Sequence, residues 1–247
     1  MRYIGVDLAW KLSPGPDERQ SAVAALDEQA RLIYYERCGT DEEIIEDADL
    51  ISSVGSVMGV DAPLVVPPDK EGRRVCEGMF ADMQLRVLPR DPSRFARWYG
   101  GCRGVVFLEK LQARDHGYEL VDRLPASTDK AVVEVYPAGS WKNMFGDLPR
   151  SKGVPADQMR PALLRMEGLL KAGMPPRYPP VDLDLLDKSE RDIVALTGRG
   201  VEDYGDALDA VMAAYTVMLW ARDPALCEIV GDLEKGFIVL PKSPRAR

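Results

Sequence analysis

The chain has 247 residues, of which 46% are hydrophobic and 29% charged, so it is long enough to bury a sizeable core as one large domain. Its 40 acidic residues outnumber 32 basic ones, for a formal charge of −8. That balance excludes a chain that binds polyanions through net charge alone; a local basic surface or bound cations would have to supply the attraction.

The first element expected is a strand over 3–10, an apolar β-prone run that carries a single carboxylate, Asp7. A short continuous apolar run suits a strand buried on both faces. An ionised Asp there is costly unless paired, whereas at the C-terminal end of the strand it faces the crevice where α/β sheets bind ligands. A loop over 11–19 contains Pro14-Gly15-Pro16. Two strands, 21–26 and 31–36, then form a hairpin around 27–30. Thr40 with Glu43 three residues on makes a capping box, which opens a helix to about residue 53. Next comes a second acid-tipped strand, 56–61, in which Gly59-Val60-Asp61 repeats Gly5-Val6-Asp7. A right-handed crossover would lay it beside the first strand and make Asp7 and Asp61 neighbours.

Residues 64–128 read as a helical insertion within a single domain over 1–247. Val65-Val66-Pro67-Pro68 cannot continue a central strand, and a helix is expected over about 70–84. Asp91-Pro92 starts another, short helix that ends at Gly100-Gly101. From Arg86 to Arg103 there are five arginines (86, 90, 94, 97 and 103) against the one acid Asp91, with Phe95, Trp98 and Tyr99 between them. The bland reading is a solvated helix with a few buried aromatics. The functional one makes Arg94 and Arg97 phosphate contacts, with Trp98 and Tyr99 as stacking platforms for unpaired bases. His116, the only histidine, looks like a partner of a helix C-terminus, with Gly117 as the residue that closes that helix. Every catalytic scheme that needs histidine would have to pass through it, so carboxylates are the better candidates for chemistry.

A fifth strand over 132–136 places Glu134 in another apolar run, which ends at Pro137. Helices are expected over about 156–172 and 189–197. Asp206 is read as the N-cap of a very apolar helix reaching about residue 222, with Asp209 three residues on and sharing a face with it. Its apolar run, 207–221, is broken by Asp209 and falls short of the ~20 residues a span needs, so no membrane segment is expected. Residues 228–230 and 237–240 suggest a closing β-hairpin. The four cysteines are scattered, with no C-x-x-C pair, which excludes a zinc ribbon or thioredoxin motif and suits a reducing cytoplasm.

Asp7, Asp61, Glu134, Asp206 and Asp209 can converge only if they share something positive, because unpaired they repel one another or protonate. Hard oxygen donors suit Mg²⁺ or Mn²⁺. The Gly-Val-Asp strand, Gly-Val-Asp-Ala-Pro-Leu over 59–64, Val-Glu-Val-Tyr-Pro over 133–137, Asp-Ala-Leu-Asp-Ala over 206–210 and Gly-Phe-Ile-Val-Leu-Pro over 236–241 resemble, in order and spacing, a family of predicted nucleases with the ribonuclease H-like fold. The resemblance implies a mixed five-stranded sheet with strand two antiparallel, flanking helices, and two divalent ions. Asp7 would bridge those ions, Asp61 with Asp206 or Asp209 would complete the shells, and Glu134 would act as a ligand or orient water. Actin, the sugar kinases and the heat-shock ATPases also open on a Gly-x-Asp strand. They follow it with a Gly-rich turn, where this chain has Ala9-Trp10-Lys11 and no phosphate-binding glycine motif anywhere. A non-catalytic binding module on the same sheet is the third reading.

Overall fold

The computed structural model describes residues 1–12, 20–52, 55–67, 73–82, 92–113, 116–124, 129–149, 151–189, 195–196 and 198–244. Strands β1 (Arg2–Asp7), β2 (Ser21–Leu26) and β3 (Leu32–Cys38) form an antiparallel meander. Helix α1 (Asp41–Ile51) follows and carries the chain over to β4 (Ser56–Asp61), which lies parallel to β1. The capping box is present as expected: Glu43 N donates to the Thr40 hydroxyl at 3.2 Å and Thr40 N to the Glu43 carboxylate at 3.2 Å. The hairpin turn is organised by the Asp27 carboxylate, which accepts from Gln29 N at 2.9 Å and Arg31 N at 3.0 Å.

The main sheet has six strands rather than the five expected, in the order β3-β2-β1-β4-β6-β5. The extra strand, β5 (Tyr118–Leu120), runs parallel to β6 (Lys130–Glu134) at the edge. Three residues are too few to show a period of two, so β5 was hidden inside a stretch read as helical. A separate antiparallel hairpin, β7 (Cys227–Asp232) with β8 (Gly236–Pro241), closes the fold.

Strand alternation divides the interior in two. Ile4, Val6, Met58, Val60 and Val132 face α1 and pack with Ile44, Ile45 and Ala48. Tyr3, Val57, Val133 and Val135 face the other way, toward α8 (Arg199–Arg222). Gly5 and Gly59, paired in register, share that second face, and there glycine is a matter of space. A Cβ on Gly5 would stand 2.0 Å from the Ala210 carbonyl oxygen and 2.3 Å from Ala214 N, and one on Gly59 would meet Val217 at 2.8 Å. The two glycines therefore let the backbone of α8 lie directly on β1 and β4.

Residues 64–128 contain α2 (Val75–Asp82), α3 (Pro92–Tyr99), α4 (Arg103–Ala113) and β5. The helix expected over 70–84 appears as α2, with Arg73 and Arg74 preceding it as non-helical chain; residues 70–72 and 83–84 lie outside the described residues, as do Arg86, Arg90 and Asp91. His116 follows α4, beyond residues 114–115 that lie outside the described residues; its Nδ1 meets the carboxylate of Asp49 of α1, which also accepts from Lys130 at 3.2 Å, and Gly117 after it has the positive φ of 72° expected of a helix-closing glycine. After β6 come α5 (Pro137–Phe145), α6 (Ala156–Ala172), as expected, and α7 (Asp184–Ser189). Most of the helix read over 189–197 lies outside the described residues. Helix α8 begins seven residues before Asp206, which is therefore not an N-cap but sits in the helix body; Gly198 holds the cap position. Buried Val201 and Tyr204 extend the apolar stripe N-terminally, which explains the earlier start. Among the described residues no helix is long and apolar enough to cross a membrane.

Candidate functional site

One row of residues across the sheet forms the floor of the site. The ladder registers bring Arg37 opposite Ala22, Ala22 opposite Asp7, and Asp7 opposite Asp61, at the C-terminal ends of β1 and β4. Residues opposed across a sheet share a face. Alternation from Gly5 and Gly59 puts Asp7 and Asp61 on the face covered by α8.

The close seating of α8 does the rest. Asp203, Asp206 and Asp209 follow one another at spacing three and so line one stripe of the helix, continued by Ala210 and Ala213 where it meets the sheet. Asp206 and Asp209 reach Asp7 through a shared cation. The Lys152 ammonium lies 2.8 Å from Asp209, 3.2 Å from Asp206 and 3.6 Å from Asp7. Arg37 makes the neighbouring link, 2.9 Å to Asp203 and 3.6 Å to Asp206. Asp209 is buried and its other oxygen accepts from the Trp141 indole N–H of α5 at 3.0 Å.

Burial pushes the Asp7 carboxyl well above the usual carboxylate range; Lys152 opposes this, and the charges of Asp206, Asp61 and Asp209 add to it. The Lys152 ammonium is pushed up despite its own desolvation, because Asp209, Asp7 and Asp206 surround it. Part of the shared positive charge these acids require is thus supplied within the chain. Sequence reading missed Lys152 because it lies in a Pro-rich connection between α5 and α6, remote from every acid it touches. Arg37 was missed because only the strand register brings it to the row.

Glu134 is placed differently. It is opposite Val60, and Val133 and Val135 on either side of it face α8, so its own side chain leaves the sheet on the α1 side. There it is buried and grips Arg74, with contacts of 2.5 and 2.9 Å, and accepts from Leu64 N at 3.0 Å. Arg74 also pairs with Glu77 at 2.9 Å and donates to the Val65 carbonyl at 2.8 Å. Asp61 and Glu134 both border a small cavity at the strand ends with Trp10 and Tyr136, but Glu134 is not among the acids joined by Lys152.

The aromatic and basic helix α3 stands beside the acids. Trp10, three residues past Asp7, stacks on Phe95 with ring centroids 5.9 Å apart and planes 14° apart, and meets Tyr99 at 5.7 Å. Leu12 N donates to the Tyr99 carbonyl at 3.0 Å. Tyr99 and Trp10 wall a cleft of ≈ 460 Å³ that opens over Asp7, Asp206, Arg37 and Lys152. On the outer side of α3, Trp98 is 51% exposed and the Arg94 guanidinium lies 5.9 Å from its ring centroid. Arg103 is removed from the basic surface: it is buried, pairs with Asp41 at 2.8 Å and ties down the Ala9 carbonyl at 3.2 Å.

The donor set suits a hard divalent cation, since it consists of carboxylate oxygens and three of them already turn toward one positive charge. Its spacing is that of an ammonium. Among the described residues no group of three or more carboxylates, cysteines or histidines is drawn together around an ion position. The N···O contacts of 2.8–3.6 Å exceed the about 2.0–2.1 Å of a Mg–oxygen bond.

The profile of the family described as "Protein of unknown function (DUF429)" matches residues 5–232, and the chain belongs to that family. The matched span takes in all five acids, Arg37, Arg74 and Lys152. No curated protein and no solved structure matches the chain.

Proposed function

We propose that this DUF429 protein is a divalent-metal-dependent nuclease, built on a ribonuclease H-like variant of the mixed sheet and working in the cytoplasm on nucleic acid. One observation carries the reading: Asp7 and Asp61 are register neighbours at the ends of parallel strands, and α8 delivers Asp206 and Asp209 to the same face, where three of the four already share one cation. Asp7, Asp61, Asp206 and Asp209 would hold two ions, Mg²⁺ or Mn²⁺. Such a pair, when bound, stabilises the attacking and leaving oxygens of a phosphodiester during in-line displacement.

The chain's own groups have distinct roles in this reading. Asp7, central in the row and desolvated, is the carboxylate best placed to be shared between two ions. Arg37 keeps Asp206 oriented toward the cleft. Trp141 fixes one oxygen of Asp209 and leaves the other for the site. Glu134, locked to Arg74 on the other face of the sheet, shapes the strand ends rather than contributing a ligand. Tyr99, Trp98, Arg94 and Arg97 form the adjacent nucleic-acid contact, which supplies the attraction the net charge of −8 lacks.

The test is hydrolysis of labelled single- and double-stranded DNA and RNA with Mg²⁺, Mn²⁺ or EDTA. Activity should require the metal and fall at least about a thousandfold in Asp7→Asn, a loss of ~4 kcal/mol of transition-state stabilisation. Equal activity in the variant and the wild type would assign the hydrolysis to another site or a contaminant.

A further inference from the structure

We infer that Lys152 is the site's built-in counterion: its ammonium holds Asp7, Asp206 and Asp209 together in the metal-free protein and gives up that position when a divalent cation enters. The inference rests on the reading of these acids as metal ligands, and adds to it a residue that competes with the metal.

Three features separate Lys152 from a permanent structural ion pair. The first is charge. Three carboxylates meet one lysine, while Arg37 divides itself between Asp206 and Asp203, so the cluster stays under-neutralised in a way that a dication would correct. The second is access. The Lys152 side chain is 53% exposed, whereas Asp7 is 14%, Asp209 11% and Asp206 25% exposed, so the lysine stem lies toward solvent and has a path outward that the acids lack. The third is attachment. Lys152 belongs to the connection between α5 and α6, and the glycines flanking it, Gly146 and Gly153, have positive φ of 81° and 70°. Neither has anything within 4 Å of where its Cβ would be, so the connection is anchored to the core at Leu148 and Val154 and left open at the two glycines. An ammonium is a point charge on a flexible stem and loses less on leaving than a two-pronged guanidinium would. Once displaced, it remains tethered at the mouth of the cleft, where a phosphate would meet it.

Mn²⁺ binding measured by electron paramagnetic resonance and calorimetry tests this without any substrate. Lys152→Met, which keeps the stem and removes the charge, should bind Mn²⁺ on the order of tenfold more tightly than wild type, since three half-exposed ion pairs need no longer be broken. Lys152→Arg should bind no more tightly than wild type. In the wild-type protein, acylation of Lys152 by an amine-reactive ester, followed by mass spectrometry, should speed up when Mn²⁺ is added. This arm also serves should Lys152→Met fail to fold.

Mn²⁺ binding by Lys152→Met alone would support the inference outright. Equal affinity in wild type and Lys152→Met, or acylation of Lys152 that Mn²⁺ leaves unchanged despite binding, would overturn it while leaving the metal site standing. Binding in neither protein would overturn both the counterion role and the metal reading.

Discussion

Two ionic clusters lie near the C-terminal edge of the sheet, and they are built in opposite ways. Around Arg74, both partners are sealed: the arginine and Glu77 are each 1% exposed and Glu134 5%, and the arginine's donors are matched by two carboxylates and a carbonyl. Around Lys152, the three acids are 11–25% exposed, while the lysine side chain is 53% exposed, holds three oxygens at unequal distances and comes from a connecting segment. Arg74 is enclosed by the carboxylates of Glu77 and Glu134 and by the Val65 carbonyl. Lys152 fills a place that another cation could occupy. Carboxylate number is nearly the same in both, so counting acids does not separate a structural cluster from an exchangeable one; the burial and tethering of the cation do.

The sharpest way to break this comparison is at Arg74. Arg74→Met should cost about 3–5 kcal/mol, because it leaves two carboxylates buried without their counterion. Urea unfolding would measure this, and adding Glu134→Gln to the variant should recover part of the loss. A cost no larger than that of Lys152→Met would remove the distinction between the clusters.

A smaller effect of opposite sign is expected at Asp7. Its folded-state pKa is raised above the ordinary value near 3.8, so its contribution to stability is complete at pH below that value and is lost as the pH climbs through the raised one. In EDTA, Asp7→Asn and wild type should therefore be about equally stable in acid. The variant should become the more stable of the two as the pH rises, because it carries no charge to desolvate. Denaturation midpoints across that range would check this; a wild type that gains on Asp7→Asn with rising pH would refute it.

The smallest effect concerns the surface beside the acids. Replacing Arg94 and Arg97 by Ala should weaken nucleic-acid binding alike on all sequences and reduce the salt dependence by about two phosphate contacts. Mn²⁺ affinity should not change. An unchanged salt slope would mean that Arg94 serves only Trp98, over which it lies, and that neither arginine meets phosphate.

Much of this site was legible in the chain. The segments ending in Gly5-Val6-Asp7 and Gly59-Val60-Asp61 read as two strands with acids at matching ends because each is a short apolar run that closes on the same Gly-Val-Asp. Asp206 and Asp209 read as one helix face because they stand at spacing three. Glu134 was grouped with them by composition, an acid in an apolar run, although the phase of Val133 and Val135 turns it to the opposite side of the sheet. Strand β5 was too short for its period to show.

Sequence by itself thus determined the local elements and the acids they carry, because spacing along a chain is enough to set which residues share a face. Only the tertiary structure decided which cations those acids meet. Lys152 is far in sequence from all three carboxylates it holds and Arg74 from one of its two, Glu134, and no local pattern encodes a partnership made when a connection between two helices or the residue before α2 folds back onto the strand ends. The close approach of α8 to Gly5 sets how near Asp209 comes to Asp7, and that distance follows from packing across the core rather than from any neighbouring residue.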